Sequence, residues 1–189
     1  MKSYHNIINR AVDILRQGGV ILYPTDTIWG LGCDATNDDA VQKIYAIKQR
    51  NESKSMLILL DTDSKLPYYV RRVPDIAWQL IDVSDNPLTL IYPGARNVSP
   101  GLLADDGSLG IRIVNDDFCA DLVARLRKPL VSTSANMAGQ KPPAVFSDIS
   151  DEIKDSADYI VPLRQNEKHK KTASSIIKLE IDGQFKIIR

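Results

Sequence analysis

Lys48, Arg50 and Lys54 stand directly before an apolar run, Met56 to Leu60, that is short enough for a central strand. Three cations gathered around a small cavity suit a polyanionic phosphate: arginine grips two oxygens at once, and lysine acts as a point charge. Lys48 and Arg50 equally fit the last turn of a helix, where cations complement the dipole and face solvent. Their passage straight into a strand edge weighs toward the phosphate reading. A second chemical segment runs from Tyr23 to Ala35, Tyr-Pro-Thr-Asp-Thr-Ile-Trp-Gly-Leu-Gly-Cys-Asp-Ala. It sets turn formers, the hydroxyls of Thr25 and Thr27 and two glycines behind an apolar strand, and a strand that ends this way presents a site. A third is Ser132-Thr-Ser-Ala-Asn136, expected as a polar loop leaving the carboxyl end of a strand, where α/β sheets commonly hold ligands. Ser and Asn also cap helices and close turns on their own backbone, but four polar side chains in five small residues exceed what one turn needs. Arg112, within Leu109-Gly-Ile-Arg-Ile113, interrupts an apolar strand. It is either a solvated arginine on an edge strand or a buried one that demands a partner.

The elements that must position these groups alternate between helical and extended patterns without a linker. Ile7, Ile8, Ala11, Ile14 and Leu15 recur at helical spacing, and Gly18-Gly19 supplies the stop. Val20 to Tyr23 reads as a buried strand. A second helix starts near Asn37, whose side chain can cap it while Asp38 and Asp39 favour its positive end; Val41, Ile44 and Ile47 give the buried face. Met56 to Leu60 is a strand, followed by helical patterns around Leu66 to Val70 and Asp75 to Ile81. Strands are expected at Leu88 to Tyr92 and Leu109 to Val114, a helix from Asp116 to Arg127, and a strand at Pro129 to Val131. Asp182-Gly183, between Ile176 to Ile181 and Phe185 to Ile188, signals a type I′ hairpin. Interleaved helices and a closing hairpin cannot both serve a purely parallel sheet, so the fold class is α/β with a mixed sheet. No internal repeat or low-complexity segment is present.

Composition narrows the function classes. At 189 residues the chain suits one domain with a substantial core. Its 24 basic and 24 acidic residues leave no net field, and aromatics make up 6%, which argues against a nucleic-acid coat relying on charge and stacking. Cys33 and Cys119 are isolated thiols without zinc or redox spacing, and the start lacks an apolar signal core, so a reducing cytoplasm is the expected compartment. No run approaches the roughly 18 apolar residues needed to span a bilayer, and no membrane association is expected. Gly30-x-Gly32-x-x-Ala35 imitates a dinucleotide fingerprint, but its glycines do not open a helix and Asn37-Asp38-Asp39 would face carboxylates toward a pyrophosphate. A serine hydrolase built on Ser134 lacks the nucleophile elbow and has only His5 and His169 as candidate bases. Lys168-His-Lys-Lys171 reads as a solvated loop, with contact to RNA or nucleotide as the minor alternative.

Taken together, the Tyr23 to Ala35 segment, Lys48-Gln-Arg50 with Lys54, and Ser132-Thr-Ser-Ala-Asn136 resemble, in order, motifs of the YrdC/TsaC family of threonylcarbamoyl-AMP synthases, and the resemblance covers nearly the whole chain. It implies a single domain over residues 1–189, a twisted mixed sheet with flanking helices around a basic cavity, of YrdC/RibB-like kind. The implied reaction joins L-threonine, bicarbonate and ATP into threonylcarbamoyl-AMP and pyrophosphate, for use by a threonylcarbamoyl-transfer complex on adenosine 37 of tRNA. Residue by residue, the resemblance implies Lys48 and Arg50 in catalysis. It places Arg50, Lys54, Ser108, Asn136 and Arg189 on the nucleotide, and Thr27, Arg112, Ser134 and Ser174 on threonine, with Thr25 supporting the turn. Magnesium is expected with the triphosphate, held by phosphate oxygens and water, without a protein metal site. Arg189 is also the terminal residue, where chains fray. Trp29 replaces a common Tyr, Asn51 and Ser55 replace prolines, and Leu59 stands where some relatives carry His. The lost prolines leave the Lys48 to Lys54 loop less preset. Two other readings are an RNA- or ribosome-binding module, with weak RNA affinity, and a YciO-like paralogue with weak synthase activity.

Overall fold

The computed structural model describes residues 4–49, 56–168 and 171–189; Arg50, Lys54 and His169 lie outside the described residues. Helix α1 (His5–Arg16) buries Ile8, Ala11, Val12 and Leu15 and stops where Gly18 takes φ +77°, a left-handed angle that glycine adopts at no steric cost. Strand β1 (Ile21–Tyr23) and the short β2 (Gly30–Gly32) form an antiparallel pair around the Thr25 to Trp29 turn. Helix α2 (Asp38–Lys48) begins as the sequence requires, with Asn37 Oδ1 accepting from the Ala40 amide at 3.1 Å. Next come β3 (Leu57–Leu60), α3 (Leu66–Tyr69), α4 (Asp75–Asp82), β4 (Leu88–Tyr92), β5 (Leu109–Ile113) and α5 (Asp117–Leu126). The chain closes with β6 (Leu130–Ser134), α6 (Asp151–Ser156), β7 (Tyr159–Ile160), β8 (Ser175–Leu179) and β9 (Phe185–Ile187).

The strands make one mixed sheet in the order β7-β1-β2-β6-β3-β5-β4-β8-β9. Strand β3 runs parallel to β5 and antiparallel to β6, and β4 runs antiparallel to β5 but parallel to β8. Strand alternation sends side chains to two cores. Ile21, Tyr23, Leu59 and Leu130 pack beneath α1 and α5, while Leu22, Ile58, Leu60, Leu90 and Ile111 join Val41, Ile44 and Tyr45 of α2 on the other face. At about 25 cal/mol per Å² of apolar surface removed from water, these two layers are the main source of stability.

Two local expectations are corrected, and two open alternatives are decided. Ser132-Thr-Ser134 is strand rather than loop: it extends β6 and pairs with β2 through Gly30↔Ser134 and Leu31↔Thr133. Polar side chains are tolerated there because Ser132 and Ser134 line a cleft. The closing hairpin is not type I′, since Asp182 keeps a negative φ and only Gly183 is positive, at +88°. Gly183 N–H donates to Glu180 O at 3.2 Å and Leu179 pairs with Phe185, the three-residue connection with a glycine bulge. Arg112 is not on an edge: β5 is a central strand, and the residue is 2% exposed. Lys48 does not face solvent, being 2% exposed at the end of α2.

The structure also explains β2, a strand that residue patterns did not reveal. A Cβ on Gly32 would sit 2.7 Å from Tyr23 Cε1 and 2.8 Å from Val131 O, because β1 and β6 close on it from either side. One contact is backbone and the other a fully buried ring, so neither yields cheaply. Gly32→Ala should therefore destabilise by roughly 1–3 kcal/mol, the usual cost of overpacking, read as a lower thermal midpoint. An unchanged midpoint would show that the β1-β2-β6 packing is looser than described.

Candidate functional site

The cleft lies where the β1–β2 turn, the end of β6, β3 and β5 meet the segment entering β8. Its volume is about 160 Å³, and its lining includes Thr27, Trp29, Arg112, Ser134, Ser174 and Arg189. At its base Arg112 Nη1 donates to Thr27 Oγ1 at 3.0 Å, and Nη2 lies 3.0 Å from Asp26 Oδ1. The Arg112 and Asp26 side chains are 3% and 7% exposed, so this is a buried ion pair. It is poorly aligned: neither Asp26 oxygen and not Arg112 Nε finds a hydrogen-bond partner among the described residues. Short distance and missing alignment are compatible, because attraction between charges needs proximity while a hydrogen bond also needs direction.

The threonine turn fixes which way its hydroxyls point. Thr25 Oγ1 has one proton, which Ile28 O accepts at 2.8 Å, and Thr25 Oγ1 in turn accepts the Thr27 amide at 3.0 Å. The 2.9 Å contact between the two hydroxyls is then donated by Thr27. With its proton spent and one lone pair taken by Arg112, Thr27 Oγ1 can offer the cleft only an acceptor. That suits an incoming N–H.

On the opposite wall Lys48 Nζ donates to Ser134 O at 2.6 Å and to Asn136 O at 2.7 Å. The Ala138 amide returns a bond to Lys48 O at 3.1 Å, so the end of α2 and the exit of β6 are tied in both directions. Asn136 Nδ2 donates to Met137 O at 2.9 Å and Gln140 O at 2.8 Å, which orients its amide and leaves Oδ1 buried without a partner among the described residues. This oxygen accepts, so a ligand meeting it must donate.

The third wall is built from distant sequence. Ser174 Oγ and Thr89 Oγ1 are 2.8 Å apart and buried, while Arg189 Nε and Nη2 both donate to Ser174 O, at 3.1 and 2.9 Å. Arg189 is held in place, since its carbonyl accepts the Ile176 amide at 3.0 Å. Ser108 is buried at 4% exposure in the turn before β5, its amide donating to Asp106 Oδ1, and it does not line the cleft. The hydrogen bond from Lys178 lowers the Asp106 carboxyl to about 2, so this turn stays ionised over the physiological range.

Of the expected site residues, the structure thus brings together Thr27, Arg112, Ser134, Ser174 and Arg189 around one cleft, with Lys48 and Asn136 behind its β6 wall. Arg50 and Lys54 lie outside the described residues. Two participants escaped residue-pattern reasoning: Asp26, hidden between the two threonines, and Thr89, an isolated hydroxyl in an apolar strand. Burial raises the thiols of Cys33 and Cys119 well above the ordinary range, and Cys119 Sγ is directed to Pro24 O, so neither is poised as a thiolate nucleophile. Among the described residues no group of His, Cys, Asp or Glu could hold a metal ion, and no helix is long and apolar enough to cross a membrane.

The Sua5/YciO/YrdC family model, whose description is telomere recombination, matches residues 13–189. The threonylcarbamoyl-AMP synthase of Pseudoalteromonas translucida (strain TAC 125) is 33% identical over 187 residues, 96% of this chain and 97% of that protein. Escherichia coli YciO superposes with a TM-score of 0.84 at 27% identity, covering 97% of this chain and 88% of YciO. Sua5 of P. abyssi, solved in complex with L-threonine, gives 0.80 at 22% identity over 91% of this chain, which spans 50% of that longer one. Matched along most of its length by the family model and by a relative of nearly equal extent, the chain belongs to the Sua5/YciO/YrdC family.

Proposed function

We propose that this protein is an L-threonylcarbamoyladenylate synthase, a nucleotidyltransferase that makes threonylcarbamoyl-AMP for the modification of adenosine 37 in tRNA. The observation that carries the proposal is the buried Arg112, which lines the base of the cleft beside the acceptor-only oxygen of Thr27. A guanidinium and a hydroxyl acceptor placed side by side match the carboxylate and amine of an amino acid. The relative of similar length named threonylcarbamoyl-AMP synthase supports the choice of reaction.

In this reading the threonine carboxylate docks on Arg112; the ammonium gives one proton to water, and the resulting amine donates to Thr27 Oγ1 and directs its lone pair at bicarbonate. Nitrogen attack on the bicarbonate carbon expels water and gives a carbamate; a carbamate oxygen then attacks the α-phosphorus of ATP, and pyrophosphate leaves. The protein's task is to gather three anions that repel one another in water, which it does with fixed positive charge in a partly desolvated cleft. Arg189 and Asn136 are assigned to the nucleotide, as are Arg50, Lys54 and Ser108 from the sequence. Ser134 and Ser174 are assigned to the threonine side chain and backbone. Lys48 acts by holding the carbonyls of Ser134 and Asn136. Magnesium enters with ATP as part of the substrate, held by phosphate oxygens and water. A transfer complex acting on tRNA is the proposed consumer of the product.

The test is pyrophosphate release. It should require threonine and bicarbonate together, because the nucleophile that reaches the α-phosphate is assembled from both. Serine should be the poorer substrate by roughly 1–3 kcal/mol, the worth of one methyl contact. Release from ATP alone would point to a plain ATPase, and the synthase proposal would fall.

A further inference from the structure

We infer that Asp26 is a positioning residue that holds Arg112 in the orientation that receives the amino-acid carboxylate, an inference that rests on the synthase reading. Asp26 does not line the cleft and its side chain is 7% exposed, so it does not itself meet a ligand there. Its effect must pass through the guanidinium 3.0 Å away. The backbone of Arg112 is fixed by its place in β5, where it pairs with Leu59 of β3. What remains adjustable is the side chain, and the cleft it lines gives it room to swing. Two groups oppose that motion: Thr27 Oγ1 at 3.0 Å from Nη1, and the Asp26 charge at 3.0 Å from Nη2. Together they occupy the inner ends of the fork and leave Nε–H unpaired. Thr27 alone is a neutral acceptor, so the countercharge that makes burial of Arg112 tolerable comes from Asp26. Without it the guanidinium gains by moving toward water, and the receiving geometry is lost. The same carboxylate keeps the base of the cleft from carrying a bare cation between turnovers.

The experiment uses the full chain and measures pyrophosphate release with separate titrations of threonine and ATP, together with thermal melting. Asp26→Ala should raise the threonine KM by about tenfold or more, since it removes the buried countercharge 3.0 Å from the guanidinium, with kcat and the ATP KM little changed. Asp26→Asn should show a smaller rise in the same constant, because its amide dipole still fills the place beside Nη2 although the charge is gone. On an Arg112→Lys background, where the fork no longer exists, adding Asp26→Ala should leave the threonine KM nearly where Arg112→Lys put it. If Asp26→Ala melts below the assay temperature, the Asp26→Asn titration decides alone. An unchanged threonine KM in a folded variant, an ATP KM rising in step, or effects that multiply with Arg112→Lys would each overturn the inference. A wild-type chain with no threonine-dependent release would refute the synthase reading itself. An active wild type with unaltered Asp26 variants would refute only the role of Asp26.

Discussion

Lys48→Met should lower the thermal midpoint and cripple ATP use together, although no part of Lys48 is required to touch the nucleotide. The lysine is buried, and its ammonium serves at least the carbonyls of Ser134 and Asn136 at 2.6 and 2.7 Å. Methionine matches the length of the stem but donates nothing, so two carbonyl oxygens lose charged hydrogen bonds worth about 1.5–3 kcal/mol each. Part of that is offset by no longer burying an ammonium, which leaves a net cost on the order of 2–4 kcal/mol. For a chain of this size that corresponds to a midpoint lower by roughly 5–12 °C. Release of the β6 exit also frees Asn136 and loosens the wall of the cleft in front of it. The ATP KM should rise by at least about tenfold, with the threonine KM less affected. A variant that melts like wild type but loses turnover at saturating ATP would instead assign Lys48 directly to the reacting phosphate.

Arg112→Lys should have the largest effect on threonine. Lysine keeps the charge opposite Asp26 and so preserves the fold, but a single ammonium cannot bond Thr27, face Asp26 and receive a carboxylate at once. The expected outcome is a threonine KM raised about tenfold to a hundredfold with the ATP KM nearly constant. Arg112→Ala should add instability, since it strands the Asp26 carboxylate in the interior at a cost of roughly 3–5 kcal/mol. Were threonine affinity untouched while ATP binding collapsed, the two halves of the cleft would have to be exchanged.

How much of this was legible in the residues depends on how local each signal is. The Asn37 cap, the Gly18 stop and the apolar faces of α1 and α2 are decided within a few positions, and the chain forms them where its pattern puts them. Arg112 and Ser134, which line the cleft, also stood out in the sequence, because a charge in an apolar strand and a run of small polar residues are unusual wherever they fold. What could not be read is set by partners far along the chain. Strand β2 is three residues with two glycines, and it exists because Tyr23 and Val131 flank it. Ser132 to Ser134 look like a loop by composition, yet β2 and β3 supply their backbone pairs. Thr89 becomes a site residue only through Ser174, 85 positions away. Lys48 fits a solvated helix end until the β6 exit closes over it, and Asp26 reads as one more turn former until Arg112 arrives from β5.

The measurement that bears most directly on the account is mass detection of the product after incubating the protein with ATP, L-threonine and isotopically labelled bicarbonate. The account predicts a threonylcarbamoyl-adenylate that carries the label in its carbamoyl carbon, formed with pyrophosphate and absent when threonine or bicarbonate is withheld. Adenylate without the labelled carbon, or nucleotide hydrolysis indifferent to threonine, would contradict it.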